Sequence, residues 1–245
     1  MFTSDTAYDK FMGRFSVRLA PLFADFAGIS RGTRVLDVGA GTGALTAELL
    51  RRGATVAAMD PSPEFVATLK SRFPEIDARE AGAEELPWPD ASFDAALAQL
   101  VIAFMADAEA GVAEMHRVVE PGGVVAVCMW DRERMDLLHA VNQVQAVVDP
   151  DRSADVPRFR GADSIAELLG DGAEVELLVV DAEYADFDEF WSALAGGVGP
   201  AGAWVASLDE DRRAQAREEL RRFLGNPGGA FTLTGRAWAG RVERR

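Results

Sequence analysis

Residues 35–43 read VLDVGAGTG, an apolar run that contains one aspartate and ends in three glycines at alternate positions. The run predicts a buried strand over 34–38, and residues 44–52 have the apolar spacing of a helix that ends at Gly53. A strand, a glycine-rich turn and a helix in this order form the first half of a βαβ unit. Because glycine has no side chain, the backbone of such a turn can approach a ligand at the positive N-terminal end of the helix.

Strand-like and helix-like segments continue to alternate along the first half of the chain, which is the pattern of a parallel sheet wrapped by helices. Further strands are predicted at 55–60, 76–81, 92–102 and 124–130. Helices are predicted at 107–119 and from Pro63 to before Pro74, with Ser62 as the N-cap. A turn over 121–123 is expected to lead into the strand that begins at Val124.

The second half of the chain is less regular. Its predicted elements are helices at 134–148, 164–169 and 186–194 and a strand at 174–180. Another helix is expected to begin at Ser207, because Ser207 and Glu210 have the spacing of a capping box, and to end at Gly225. Residues 231–240 alternate like an antiparallel edge strand. Neither a repeat nor a low-complexity linker interrupts the sequence, so a single domain is predicted over 1–245.

The composition is typical of a globular protein, with 49% hydrophobic and 27% charged residues. Forty acidic against 25 basic residues give a net charge of −15, which disfavours nucleic acid and anionic membranes as partners. Cys128 is the single cysteine, and no cluster of metal-ligating residues is recognisable, so no metal is expected. The N-terminal residues lack the apolar segment of a signal peptide, which predicts a cytoplasmic protein without a membrane span.

The glycine loop by itself fits two kinds of cofactor. Its letters GAGTGA satisfy the pattern of dinucleotide-binding loops, so an NAD-dependent oxidoreductase is one interpretation. Asp37 precedes the first glycine by two residues, beside the place where a pyrophosphate would sit, and it favours a ligand with a cationic group. Asp60 ends the second predicted strand, where an acidic residue can bind ribose hydroxyls; a turn role is its alternative. Together these two aspartates favour S-adenosylmethionine.

Four segments resemble the successive motifs of class I S-adenosylmethionine-dependent methyltransferases of the small-molecule type, in particular the methyltransferase domain 11 group. They are VLDVGAGTG at 35–43, AMDPSPE at 58–64, AGAEELPWPDASFDAALAQLVIAFM at 81–105 and EMHRVVEPGGVVAVCMWD at 114–131. The resemblance implies a Rossmann-like α/β fold with a seven-stranded, mostly parallel sheet, helices on both faces, an antiparallel last strand and a helical insert near the C-terminus. It also implies methyl transfer to a small organic acceptor at oxygen, nitrogen or carbon.

The same resemblance implies which residues bind the cofactor. The positions for its methionyl end and ribose are Asp37, Gly39, Ala40, Gly41, Asp60 and Gln99. Pro61 would flank the adenine, and Ala83 and Glu84 would recognise its edge, largely through backbone groups. Many relatives have an acidic residue where this chain has Gly82, so this chain departs from the family in its side-chain contact to the adenine.

Residues 1–30 resemble the helical lead-in that relatives fold over the cofactor, ahead of a cofactor-binding core at 31–131. Tyr8 and Arg14 are the cofactor-binding candidates in this lead-in. The arginine could pair with the methionyl carboxylate, and a solvated surface position is its alternative.

Methyl transfer from a sulfonium is an in-line displacement, so the protein mainly has to hold the acceptor atom opposite the leaving sulfur. A base is needed only when the acceptor must lose a proton. His139 and Asp131 are the candidate bases, with a solvated helix position and a helix cap as their alternatives. His116 shares a helical face with apolar residues and is interpreted as a core-edge residue.

Aromatic residues at strand ends and in the late helical region predict a mostly apolar acceptor pocket, with core packing as the alternative for each. They are Phe104, Trp130, Phe190, Trp191 and Trp204. Residues 186–224 are predicted to form a helical lid insert, which the glycines of 196–200 would allow to open. Besides the NAD-dependent oxidoreductase, a non-catalytic module that binds S-adenosylmethionine and regulates a partner is an alternative.

Overall fold

The computed structural model describes residues 11–151, 158–159, 161–197 and 199–245. Within these residues seven strands form one sheet: β1 Arg34–Val38, β2 Thr55–Asp60, β3 Asp77–Glu80, β4 Phe93–Gln99, β5 Val119–Trp130, β6 Glu174–Tyr184 and β7 Phe231–Glu243. The strand order is β3-β2-β1-β4-β5-β7-β6. Strands β1 to β5 pair in parallel, and β7 is antiparallel to β5. The predicted Rossmann-like α/β fold with an antiparallel last strand is confirmed.

The described helices alternate with these strands. They are α1 Gly13–Phe26, α2 Ala44–Arg51, α3 Pro63–Arg72, α4 Ala108–Val118, α5 Asp136–Val148, α6 Ala162–Leu169, α7 Phe187–Ala195, α8 Gly199–Ser207 and α9 Glu210–Phe223, with a short 3-10 turn at Ile102–Phe104. Ser62 caps α3 as predicted, because its hydroxyl accepts a hydrogen bond from the Phe65 N–H at 3.4 Å. The side chain of Asp107 caps α4 through the Ala110 N–H at 3.0 Å.

The chain divides into two compact units. One, here called the sheet unit, comprises Ser16–Trp130, Arg158–Leu178 and Ala237–Arg245. The other, here called the helical unit, comprises Met1–Phe15, Asp131–Pro157 and Val179–Arg236. The lid segment predicted at 186–224 falls inside the helical unit. The single domain predicted over 1–245 and the lid function both stay predictions.

The central strands β1, β4 and β5 have nearly continuous apolar sequences because helices cover both faces of the sheet. Strand β5 begins at Val119, five residues before the predicted start at Val124. The predicted turn residues belong to the strand because Gly123 passes so close to β4 that a Cβ there would lie 2.4 Å from the Asp94 carbonyl oxygen. The register between β4 and β5 shifts at this point, as expected for an irregularity that glycine accommodates.

One local prediction in the helical unit was wrong. Ser207 does not cap the last long helix: it is the final residue of α8, and its hydroxyl donates to the Trp204 carbonyl at 2.7 Å. The cap of α9 is Asp209, whose carboxylate accepts the Arg212 N–H at 2.8 Å. Gly199 and Pro200 of the glycine run begin α8. Proline suits a first turn because the missing N–H would have no partner within the helix.

Arg52 joins α2 to the end of α1 inside the sheet unit. Its guanidinium donates to Glu48 and Asp25 at 2.7 and 2.6 Å and to the Pro21 carbonyl at 2.8 Å. We expect Arg52→Ala to lower the free energy of unfolding by about 2 kcal/mol, because Glu48 is only 7% exposed and loses a charged partner. Chemical denaturation measures the change. Arg51→Ala is the matched control, since Arg51 binds the same carboxylate but is 68% exposed; a loss as large as that of Arg52→Ala would contradict the prediction.

Candidate functional site

The glycine loop after β1 has the backbone conformation that its sequence predicts. Gly39, Gly41 and Gly43 all have positive φ values, of 70°, 56° and 92°. At Gly39 an added Cβ would lie 2.4 Å from Cγ2 of Val101, so the close packing there requires glycine. At Gly41 nothing lies within 4 Å of such a Cβ. The loop therefore leaves open space at its middle residue, where a ligand can approach the backbone.

The N–H groups of this loop already have acceptors within the protein. Those of Gly39 and Ala40 both donate to the Met59 carbonyl at 2.9 Å, and that of Gly41 donates to Asp60 at 2.9 Å. A dinucleotide loop instead directs such groups at the pyrophosphate. Because these N–H groups already have acceptors and an aspartate lies beside them, binding of a pyrophosphate is disfavoured. The NAD interpretation is therefore disfavoured as well.

Asp37 is buried at 1% exposure within β1. Its carboxylate accepts a hydrogen bond from the Thr46 hydroxyl, the first polar side chain of α2, at 2.6 Å. Burial, together with repulsion from Asp60, raises the pKa of Asp37 to about 7, although the hydrogen bond from the Thr46 hydroxyl opposes the shift. A cation placed beside this carboxylate would relieve the cost of burying its charge.

Asp60 ends β2 and is 6% exposed. One carboxylate oxygen accepts the Gly41 N–H and the other accepts the Ser62 N–H, each at 2.9 Å. Burial raises the pKa of Asp60, and the two backbone hydrogen bonds oppose that shift. The residue therefore fills the turn role that was its alternative and also ties β2 to the glycine loop. Its part in ribose binding stays a prediction.

The carboxyl end of β4 has a feature that sequence reasoning missed. Leu100 has φ +64°, a left-handed conformation that is unusual for a residue with a side chain, and its N–H donates to the Cys128 carbonyl at 2.9 Å. This bend brings Val101 against Gly39. The preceding residue, Gln99, donates to the Ser16 carbonyl at 3.2 Å, while its buried Oε1 has no hydrogen-bond partner among the described residues. The apolar letters of this stretch predict only a strand, so the bend has no sequence signal.

The residues predicted near the adenine lie after β2 and β3. Pro61 is exposed, whereas Ala83 is buried. Ala83 packs against α4: a Cβ added to Gly111 of that helix would lie 3.3 Å from the Ala83 Cβ. Glu84 is half-buried, and its carboxylate accepts the Asp107 N–H at 3.1 Å, just before α4. The adenine contacts stay predictions.

Arg14, at the start of α1, has partners that the sequence did not predict. Its guanidinium binds the Glu189 carboxylate, donates to the Glu183 carbonyl at 2.7 Å and lies 4.7 Å from the centre of the Tyr184 ring. These contacts occupy both ends of the guanidinium, so Arg14 is not the solvated surface residue of its alternative. Its pairing with a methionyl carboxylate stays a prediction. Tyr8, the other lead-in candidate, lies outside the described residues.

The two candidate bases lie in the helical unit. Asp131 is 3% exposed, and its Oδ1 accepts the N–H groups of Glu133 and Arg134 at 3.2 and 3.1 Å. This is the capping geometry that was its alternative. His139 is half-buried on α5, with its ring 5.7 Å from the ring of Phe223. In the sheet unit His116 is half-buried, and burial lowers its pKa, in line with its core-edge interpretation.

The aromatic candidates have very different surroundings. In the sheet unit Phe104 is 54% exposed in the turn after β4, whereas Trp130 is buried at the end of β5. In the helical unit Phe190 is fully buried among the rings of Tyr184, Phe187 and Phe231, so core packing accounts for its position. Trp191 is half-buried on α7, and Trp204 is 1% exposed on α8. Their predicted part in an acceptor pocket stays a prediction.

Neither metal-binding clusters nor spanning helices occur in the part of the chain that the structure describes. No three His, Cys, Asp or Glu side chains there are grouped to hold a metal ion. No described helix is long and apolar enough to cross a membrane. Metal-independent chemistry and a cytoplasmic location stay predictions.

The open space at Gly41, the buried carboxylates of Asp37 and Asp60 and the buried Oε1 of Gln99 fit a ligand that carries cationic and hydroxyl groups. With the parallel sheet, they define a class I S-adenosylmethionine-binding α/β protein. A family model described as "Methyltransferase domain" matches residues 36–127, the segment from β1 to β5. The chain belongs to this family of S-adenosylmethionine-dependent methyltransferases.

Individual relatives cover different shares of the chain. An uncharacterized protein of Mycobacterium tuberculosis is 34% identical over 164 residues, which are 63% of this chain and 58% of that protein. The chain thus spans less than two thirds of this relative's length. A demethylmenaquinone methyltransferase of Tropheryma whipplei is 30% identical over 182 residues, which are 69% of this chain and 73% of that enzyme. Among solved structures, the [4+2]-cyclase SpnF matches with a TM-score of 0.59 at 24% identity. The match covers 93% of this chain and 81% of the SpnF chain, and it shows a similar fold alone.

Proposed function

We propose that this protein transfers a methyl group from S-adenosylmethionine to a small organic acceptor by in-line displacement. The observation that carries the proposal is the pair of buried carboxylates, Asp37 and Asp60, beside the open backbone at Gly41. Two buried acids without a basic partner in their hydrogen bonds are unfavourable alone, and a cationic ligand offsets that cost.

Residues of the sheet unit would hold the cofactor, which supplies an electrophilic methyl group on its sulfonium when bound. Asp37 would attract the cationic methionyl end, and Gln99 Oε1 would accept a hydrogen bond from its amino group. Asp60 would accept hydrogen bonds from the ribose hydroxyls while it keeps the loop in place through the Gly41 N–H. These residues orient and bind, which is the main contribution that an in-line displacement requires.

The acceptor's own chemistry decides whether a base takes part. Asp131 has a capping role that explains its burial, so His139 is the remaining candidate, and it would act only on acceptors that must lose a proton. Similarity to a demethylmenaquinone methyltransferase supports electron-rich ring carbons as the first acceptors to test. A panel should therefore contain a short-chain demethylmenaquinol, a phenol and an amine, with S-adenosylhomocysteine release as the readout.

The same panel separates an enzyme from a non-catalytic cofactor-binding module. A fold neighbour named as a [4+2]-cyclase illustrates that fold alone does not decide the reaction. Cofactor binding without release of S-adenosylhomocysteine for any acceptor would favour the regulatory module. Release with one acceptor class would establish the transfer, and mass spectrometry and NMR of the methylated product would identify the acceptor atom.

Asp60→Ala tests the cofactor site directly. We expect the variant to bind S-adenosylmethionine and S-adenosylhomocysteine roughly 10- to 150-fold more weakly, because hydrogen bonds to a charged acceptor contribute about 1.5–3 kcal/mol. Calorimetry measures both ligands, with NAD as a ligand expected to bind far more weakly. Glu80→Ala is the control, since Glu80 is the exposed neighbour of Asp60 in the β2–β3 register. Equal affinities in the two variants would remove Asp60 from the site.

A further inference from the structure

The indole N–H of Trp204 is a buried donor for which the described residues provide no acceptor. Trp204 is 1% exposed, and its Nε1 has no hydrogen-bond partner among the described residues. Helix α8, which contains Trp204, packs tightly against the residues just after α7. A Cβ added to Gly202 would lie 2.7 Å from the carbonyl carbon of Gly197. The Trp204 carbonyl also accepts the Ser207 hydroxyl at 2.7 Å. The indole is therefore held in place with its N–H unsatisfied.

A buried donor without an acceptor is rare in proteins because the donor has lost its hydrogen bonds to water. A phenylalanine would fill a similar apolar space without that cost. The protein thus keeps an unfavourable polar atom inside the helical unit, and a ligand oxygen is the group that would satisfy it.

We infer that the Trp204 N–H is a ligand-binding donor that binds a neutral oxygen of an otherwise apolar molecule. The inference goes beyond the proposed function by assigning a second binding site, within the helical unit. Its ligand class is an apolar molecule with a ketone, quinone, phenol or ether oxygen.

The residues of α8 around Trp204 favour a neutral ligand oxygen over a charged one. The helix reads GPAGAWVAS, which contains no charged side chain, and the residues buried with Trp204 are Ala201, Gly202 and Val205. A carboxylate or phosphate brought there would lose its hydration without gaining a counter-charge from α8. A neutral oxygen loses much less, and a single indole N–H is enough to satisfy it. Entry of the ligand requires side chains over the indole to move, since Trp204 is almost inaccessible.

Paired probes test this donor in the protein of 245 residues. The first, 1-tetralone, is an apolar bicyclic ketone, and the second, tetralin, has the same rings without the oxygen. Proton–nitrogen correlation spectra show the indole N–H groups of the five tryptophans, and the cross-peak missing in Trp204→Phe belongs to Trp204. Trp191→Phe is the matched control, because Trp191 is a half-buried tryptophan of the same unit.

In the wild-type protein we expect 1-tetralone to move the Trp204 cross-peak downfield and to bind about 2- to 10-fold more tightly than tetralin, as for one neutral hydrogen bond. Trp204→Phe should bind both probes equally, and Trp191→Phe should keep the preference. If Trp204→Phe does not fold, triple-resonance assignment of the wild-type cross-peak leaves the probe comparison intact.

Two results would overturn the inference: a ketone preference that survives in Trp204→Phe, or a Trp204 cross-peak that neither probe moves at millimolar concentration. Calorimetry with S-adenosylmethionine on the same samples reports the proposed function separately. A wild-type protein that binds the ketone but not the cofactor would refute the proposed function and leave the donor assigned.

Discussion

Gly39→Ala is expected to lower the free energy of unfolding by about 2–4 kcal/mol and to reduce methyl transfer roughly 100-fold. The added methyl group would lie 2.4 Å from Val101 Cγ2 and needs about 1 Å more room to reach ordinary contact near 3.4 Å. The φ value of +70° adds backbone strain. Because this loop lies beside Asp37 and Asp60, a shift of that size misplaces the groups that would hold the cofactor. Denaturation and single-turnover assays measure the two effects.

Gly32→Ala separates strain from collision. Gly32 also has positive φ, of 86°, but nothing lies within 4 Å of a Cβ added there. Its variant should lose stability through strain alone and keep cofactor affinity. Combining Gly39→Ala with Val101→Ala should recover part of the lost activity, since the nearest clashing atom is removed. If the double variant is no better than Gly39→Ala, contact with Val101 is not the cause.

Cofactor affinity is expected to rise with pH, with a midpoint near the pKa of Asp37, which burial raises to about 7. Only the ionised carboxylate attracts a cation, so binding should be about tenfold weaker at pH 6 than at pH 7.5. Asp37→Asn should bind weakly and lack this dependence. The cofactor's α-amino group titrates near pH 8 in both proteins, so the ratio of the two dissociation constants isolates the contribution of Asp37. A ratio independent of pH would contradict the prediction.

The stability of the ligand-free protein should change in the opposite direction. The folded state holds the Asp37 proton to about pH 7, whereas the unfolded chain releases it near 3.8. Unfolding therefore releases a proton between these values, and stability falls as pH rises from about 4 to about 7. Asp37→Asn removes this component. Thr46→Val should move the midpoint of cofactor binding to higher pH, because the Thr46 hydroxyl favours the ionised carboxylate.

The sequence by itself determined the order of the elements and the position of the glycine loop. These features follow from local signals, because the chemistry of a few neighbouring residues decides each of them. The signals are the period-two and helical patterns, Ser62 at a helix start and the glycines that need positive φ. Asp37 and Asp60 were also recognised from the sequence, because they lie in two successive predicted parallel strands. The carboxyl ends of such adjacent strands meet at one edge of a sheet.

Tertiary structure alone decided the features that depend on distant residues. Arg14 binds Glu189, 175 residues away, and the left-handed Leu100 brings Val101 onto Gly39. The start of β5 depends on its close passage along β4, and the unsatisfied N–H of Trp204 exists only because the folded helical unit excludes water from it. A local pattern contains no information about such contacts, because the free energy of burying a polar group or bending a strand end depends on what the rest of the chain places beside it.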